Sequence, residues 1–181
     1  MKTLIIVDMQ NDFLTGSLAN PAAAAIVEPM IEYIRNFEGD IIFTQDIHED
    51  NYLNTQEGRN LPIEHCILHT HGSQIQSDLL RTVKEEWYPA HEEDEYSTCS
   101  VHKRCFGDIR TLIPILESRW PDEIYICGTC TDICVVSVAL NLKAHFSETK
   151  MYCLKDLCAG VTPESHEAAL TVMKMCQIEV I

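Results

Sequence analysis

Cysteine is the residue type that most invites chemistry in this chain, occurring nine times among 181 residues. A free Cys usually behaves as a small buried hydrophobe, and only a thiolate is a good nucleophile or metal ligand, so its surroundings must select it. Cys134 is selected by the stretch Ile124-Tyr-Ile-Cys-Gly-Thr-Cys-Thr-Asp-Ile-Cys-Val-Val-Ser-Val-Ala-Leu140. Ile124–Cys127 reads as a short buried strand, Gly128-Thr129 as a break, and Thr131 or Asp132 as the N-cap of a helix. Cys134 then lies in a first helical turn at the carboxyl end of a strand. A helix N-terminus there lowers a thiol's pKa and offers N–H groups to a developing oxyanion. The implied chemistry is nucleophilic attack by Cys134. A metal site of Cys127, Cys130 and Cys134 is the weaker alternative, because separations of three and four are not C-x2-C pairs.

Polar residues close other apolar runs in the same way. Thr3-Leu-Ile-Ile-Val7 ends in Asp8, followed by Met9-Gln-Asn-Asp-Phe13. Asp40-Ile-Ile-Phe-Thr44 ends in Gln45-Asp46-Ile-His48, and Ser97-Thr-Cys-Ser-Val101 leads into His102-Lys103. Taken singly, Asp8 is a cap or a site carboxylate, and Lys103 a surface charge or a third site residue. The long segment from Glu49 to His71 adds Glu57, His65, His69 and His71. Asp-x-His at a strand end with further His in the next loop suits a mixed nitrogen and oxygen metal site. His69 and His71 alternate around Thr70, so they are not both assigned.

Positioning these groups requires elements that deliver strand ends to one edge. The apolar runs at 3–7, 40–44, 97–101, 124–127, 150–155 and 177–181 read as strands. Helices are expected over Ala22–Asn36, Ser73–Lys84, Asp108–Glu117, from Thr131 or Asp132, and from Thr162 to Met175. This alternation predicts an α/β fold of three layers around a doubly wound, mostly parallel sheet, as a single domain over residues 1–181. Asp8, Asp46, Lys103 and Cys134 then share one sheet edge, which weighs more than any of them alone. No G-x-G-x-x-G or Walker lysine motif follows a strand, so no nucleotide cofactor is indicated. A net charge of −15 argues against nucleic acid and acidic membrane surfaces as partners. The acidic run Glu92–Glu95 reads as a solvated loop. No apolar run reaches the ~18 residues of a membrane span. The N-terminus lacks secretory-signal architecture, and an odd cysteine count fits a reducing, cytoplasmic setting without disulfides.

With these segments in order, the chain resembles the isochorismatase-like cysteine hydrolases, and within them the nicotinamidase/pyrazinamidase group. Val7-Asp-Met-Gln-Asn-Asp-Phe13 is similar to the N-terminal motif with its catalytic aspartate, here Asp8. Thr44-Gln-Asp-Ile-His48, Leu61-Pro-Ile-Glu-His-Cys-Ile67 and Thr70-His-Gly72 resemble the metal loop. Lys103 falls at the catalytic lysine, and Gly128-Thr-Cys-Thr-Asp-Ile-Cys-Val135 resembles the nucleophile motif. The resemblance implies hydrolysis of nicotinamide, and of pyrazinamide, to the acid and ammonia through a Cys134 acyl-enzyme. It implies a cis Thr129–Cys130 peptide, an oxyanion hole from the N–H groups of Cys130 and Cys134, and Phe13 against the substrate ring. Its metal ligands would be Asp46, His48 and His65. The place where the family often carries a second His falls at Asn51 to Asn54 here, and Glu57 would be the fourth ligand, as the glutamate that some members supply instead. The ion would be divalent, zinc first and iron or manganese as alternatives, and the assembly a homo-oligomer. Two rival readings stand beside it: a metal-free hydrolase of the same superfamily acting on another small amide or ureido compound, and a thiol redox or metal-storage protein.

Overall fold

The apolar runs line up side by side in a computed structural model, which describes residues 1–87 and 100–181. Among the described residues, β1 (Lys2–Val7), β2 (Asp40–Asp46), β3 (Ser100–Lys103), β4 (Glu123–Thr129), β5 (Lys150–Ala159) and β6 (Glu179–Val180) form one sheet. Their order is β3-β2-β1-β4-β5-β6, and every pairing is parallel. The sheet is therefore wholly parallel, where the alternation alone predicted a mostly parallel one. Leu4, Ile5, Ile6 and Val7 have no exposed surface, as a central strand covered by helices on both faces requires. The chain builds outward from β1 through β2 to β3, then returns to the other side of β1 to lay down β4. The crevice between the carboxyl ends of β1 and β4 is thus the topological switch point, where ligands bind in such sheets.

The helices are α1 (Asn11–Leu14), α2 (Pro21–Ala25), α3 (Val27–Asn36), α4 (Gln56–Asn60), α5 (Ser77–Trp87), α6 (Leu112–Arg119), α7 (Val136–His145) and α8 (Pro163–Met175). On one side α3 packs against α5, and α7 packs against α8. No helix among the described residues is long and apolar enough to cross a membrane.

Several boundaries differ from the sequence reading, and prolines account for two. The helix expected over Ala22–Asn36 breaks at Ile26, and Pro29 falls in the first turn of α3. A proline deep in one continuous helix would lack its N–H and clash with the carbonyl of Ala25. For the same reason α6 starts at Leu112 and not at Asp108, which leaves Pro114 in a first turn. Asp108 instead accepts hydrogen bonds from the N–H groups of Arg104 and Arg110 and from the Arg110 guanidinium. α5 begins four residues beyond Ser73, after a turn in which the Ser73 hydroxyl donates to Thr70 O at 2.9 Å. β5 runs on to Ala159 through an irregularity, so that Cys153 pairs with Ile126 but Cys158 with Gly128. α8 starts as expected, with Thr162 as N-cap in a capping box and Pro163 behind it. The acidic run Glu92–Glu95 and the expected strand start at Ser97–Cys99 lie outside the described residues.

Candidate active site

The end of β4 is shaped by Gly128. Its φ is +119°, and a Cβ there would lie 2.1 Å from the carbonyl oxygen of Val7, so only glycine lets β4 finish this close to β1. The Thr129–Cys130 peptide that follows is cis, as the resemblance implied. The chain then makes one π-helical turn, Thr131–Val135, closed by Val135 N–H donating to Cys130 O at 3.0 Å, before α7 begins. Such widened turns occur often at functional sites. The N-cap is Cys130, not Thr131 or Asp132, and no side chain caps it. Asp132 is drawn outward, accepting from Val161 N–H at 3.0 Å and from the Ser165 hydroxyl. Thr131 and Asp132 thus bind the turn to α8, since the Thr131 hydroxyl also lies 2.9 Å from His166 Nδ1.

Asp8, Lys103 and Cys134 are brought together. Lys103 Nζ lies 2.8 Å from Asp8 Oδ2, 3.6 Å from Asp46 Oδ1 and 3.9 Å from Cys134 Sγ. Asp8 and Lys103 are fully buried and Cys134 is 7% exposed. Asp8 adopts φ +51°, a left-handed conformation that Asp tolerates better than most residues. Thr44 holds the other carboxylate oxygen, its hydroxyl donating to Asp8 Oδ1 at 2.6 Å.

Burial dominates the protonation of this group. It raises the Asp8 pKa, with Lys103 opposing. Burial would lower Lys103, but the charges of Asp8, Cys134 and Asp46 outweigh it and raise the pKa. The Cys134 thiol is pushed well above its ordinary value by burial and by the Asp8 charge, with Lys103 opposing. This direction is opposite to the lowered thiol pKa expected from the helix terminus: burial and the neighbouring carboxylate favour the neutral thiol. The same neighbours favour the charged form of Lys103.

A second group opens on the same cavity. Asp46, His48, Glu57 and His65 present ligating atoms all within 4.8 Å of one another. His48 Nε2 lies 3.0 Å from Asp46 Oδ2 and 3.7 Å from Glu57 Oε1, and His65 Nε2 lies 3.7 Å from Asp46 Oδ2. His65 Nδ1 meets the carbonyl of Ile63 at 2.8 Å, which fixes the ring and leaves Nε2 facing the group. Burial would raise Asp46, but hydrogen bonds from His48 and His65 and the Lys103 charge hold it below the usual carboxylate range. Asp46 Oδ1 is buried without a hydrogen-bond partner among the described residues. Two imidazole nitrogens and two carboxylates, one ligating atom from each within 4.8 Å of the others, fit a first-row divalent cation. His69 and His71 are exposed and take no part.

Three supporting residues escaped the sequence reading. The buried Tyr52 ring sits 4.7 Å from that of His48 and 5.0 Å from that of His65, while its hydroxyl donates to Leu61 O at 2.9 Å. Gln10 accepts from Asp46 N–H at 2.8 Å and donates to Asp46 O at 2.9 Å, fixing the end of β2. Thr44 is the third. An aromatic within a polar loop was the only local signal for Tyr52; Gln10 and Thr44 gave none, because their partners lie 36 residues away. Phe13 is buried with its ring 5.7 Å from that of His65, on the wall of a cavity of about 470 Å3 that Cys130, Cys134, Asp46, Glu57 and His65 also line.

A family model described as the isochorismatase domain matches residues 2–181. The nicotinamidase/pyrazinamidase of Mycobacterium tuberculosis is 28% identical over 188 residues, covering 100% of this chain and 98% of the relative. The crystal structure of pyrazinamidase of Pyrococcus horikoshii in complex with zinc is 30% identical, with a TM-score of 0.80 over 99% of this chain and 98% of that one. The pyrazinamidase/nicotinamidase of Streptococcus mutans is 25% identical, with a TM-score of 0.83 over 100% of both chains.

Proposed function

The chain belongs to the isochorismatase family, and from that premise we propose that it hydrolyses nicotinamide to nicotinate and ammonia, and pyrazinamide likewise, through a cysteine acyl-enzyme. The observation that carries this reading is the meeting of Asp8, Lys103 and Cys134, of which Cys134 lines a cavity that Asp46, Glu57 and His65 also line. A redox or storage role needs neither the buried lysine nor the buried carboxylate beside the thiol. The product would return the pyridine ring to NAD salvage.

Asp8 takes the Cys134 proton as the sulfur attacks the carboxamide carbon, and Lys103 holds the thiolate by charge. The raised pKa of Asp8 makes it a better base, and its bond to Thr44 keeps it aimed. The N–H groups of Cys130 and Cys134 hold the oxyanion; one such donor is worth roughly 2.7–4 kcal/mol. Asp8 returns the proton to the departing ammonia, then accepts one from the water that releases nicotinate. Phe13 packs against the ring. A divalent metal held by Asp46, His48, His65 and Glu57, zinc first with iron or manganese as alternatives, would supply a Lewis-acid contact that orients the pyridine nitrogen directly or through a bound water. The reading takes residues 1–181 as one domain acting as a homo-oligomer. It places the protein in the cytoplasm, where an unpaired catalytic thiol stays reduced.

The test is ammonia release from nicotinamide by metal-stripped protein and after restoring zinc, manganese or iron. The expected outcome is release that depends on restored metal. Silence under every condition, with Cys134 still labelled by an electrophile, would keep the cysteine hydrolase and discard nicotinamide.

A further inference from the structure

The cavity is larger than one aromatic ring requires. It measures about 470 Å3, whereas about 150 Å3 suffices to hold a benzene. Its inner end carries the chemistry: Cys134, Asp46, Glu57 and His65. Its outer end is walled by Leu61, Phe106, Ile133 and Val161, delivered by the loop after α4, the turn after β3, the turn before α7 and the loop after β5. These four side chains are 36%, 49%, 43% and 60% exposed. Scattered exposed apolar residues need no explanation; these four share the lining of one cavity. The polar side chain of this wall, Asn20, is already engaged: Nδ2 donates to Gly160 O at 2.8 Å, and Oδ1 accepts from Ala22 N–H at 2.9 Å.

We propose that this outer wall is an apolar subsite, and that the substrates include pyridine-3-carboxamides carrying an apolar group at ring position 5. The proposal rests on the nicotinamide reading and deepens it. In nicotinamide the ring nitrogen and the carboxamide-bearing carbon are meta to each other, and C5 is the carbon meta to both. With the nitrogen at the Asp46 group and the carbonyl at Cys134, a substituent on C5 points away from both fixed ends. The lining neither end uses is mostly apolar and includes Phe106, Ile133, Val161 and Leu61. An alkyl group there leaves water for apolar contact, each fully buried methylene strengthening binding about fourfold. A carboxylate in the same place would be desolvated beside side chains that offer it no hydrogen bond.

The experiment is steady-state ammonia release from nicotinamide, 5-propylnicotinamide and 5-carboxynicotinamide by the metal-loaded full chain and by its Phe106→Ser and Val161→Ser variants. Both side chains are half-exposed or more, so truncation leaves the fold intact. The propyl compound is expected to show a KM about tenfold below that of nicotinamide, and the carboxy compound one at least about tenfold above. Each substitution should erase most of the propyl advantage and change kcat/KM for nicotinamide less than about twofold. Turnover of nicotinamide with a propyl KM equal or higher would overturn the subsite alone, as would a propyl advantage indifferent to both substitutions. Failure on all three compounds would overturn the nicotinamide reading, and the subsite with it.

Discussion

Lys103 has no exposed surface, and its charge is held between Asp8 at 2.8 Å and Asp46 at 3.6 Å. Burial disfavours an ammonium, and here the two carboxylates oppose that and favour the charged form. Cys134→Ala should lower turnover at least about 10³-fold with little loss of stability, since it removes one small buried group. Lys103→Ala should also abolish turnover, but it strands a buried carboxylate, which costs about 3–5 kcal/mol, so its melting must be measured alongside. Cys99→Ala, at a position outside the described residues, should keep wild-type activity. Equal loss in all three would refute the assignment of the nucleophile. Thr44→Val offers a finer probe. The Thr44 hydroxyl favours the ionised form of Asp8, so removing it should raise the Asp8 pKa further. Because the base must be ionised, the acidic limb of the pH profile of kcat/KM should move to higher pH; a limb that stays or moves down would remove Asp8 from the role of base.

Among the elements, the turn between β4 and α7 decides most. A strand end, a glycine at φ +119° and one π-helical turn put Cys134 in its place, while Asp132 and Thr131 fasten the turn to the start of α8. Gly128→Ala should destabilise the protein by about 2 kcal/mol or more, since the new Cβ meets the Val7 carbonyl and the backbone is left-handed. The denaturation midpoint measures this, and an unchanged midpoint would mean that β4 can end elsewhere. The loop that carries Glu57 depends on local order of a similar kind. Thr55 caps α4, its hydroxyl accepting from Gly58 N–H at 3.0 Å, and α4 then carries Glu57 to within 3.7 Å of His48.

On the scale of the molecule, one parallel sheet gathers groups from residues 8, 46, 103 and 134 at its switch point. A cation held by Asp46, His48, His65 and Glu57 would tie β2 to the loop that follows it, so metal should contribute to folding as well as to catalysis. Chelation should lower the melting temperature; a metal present at 100 times its Kd is worth about 2.7 kcal/mol. His65→Ala should lose stoichiometric metal by elemental analysis and melt like the chelated wild type. Retention of one metal per chain in that variant would exclude His65 as a ligand.

Much of this arrangement was legible in the chain itself. Unbroken apolar runs between polar ends mark buried parallel strands, because both faces of such strands are covered. Asp8, Lys103 and Cys134 could be chosen by sitting just past those runs, and the resemblance drew Asp46, His48, Glu57 and His65 out of a loop that also carried His69 and His71. Those choices rest on the kinds of residue and their order, which the chain carries locally. Tertiary structure alone decided which polar groups share a site with them, as Gln10, Thr44 and Tyr52 do across the sheet edge. It also sets the direction in which the pKa of each site group moves. A helix terminus acts over one turn, but desolvation depends on everything packed around a group, and at Cys134 that burial pushes the thiol pKa up.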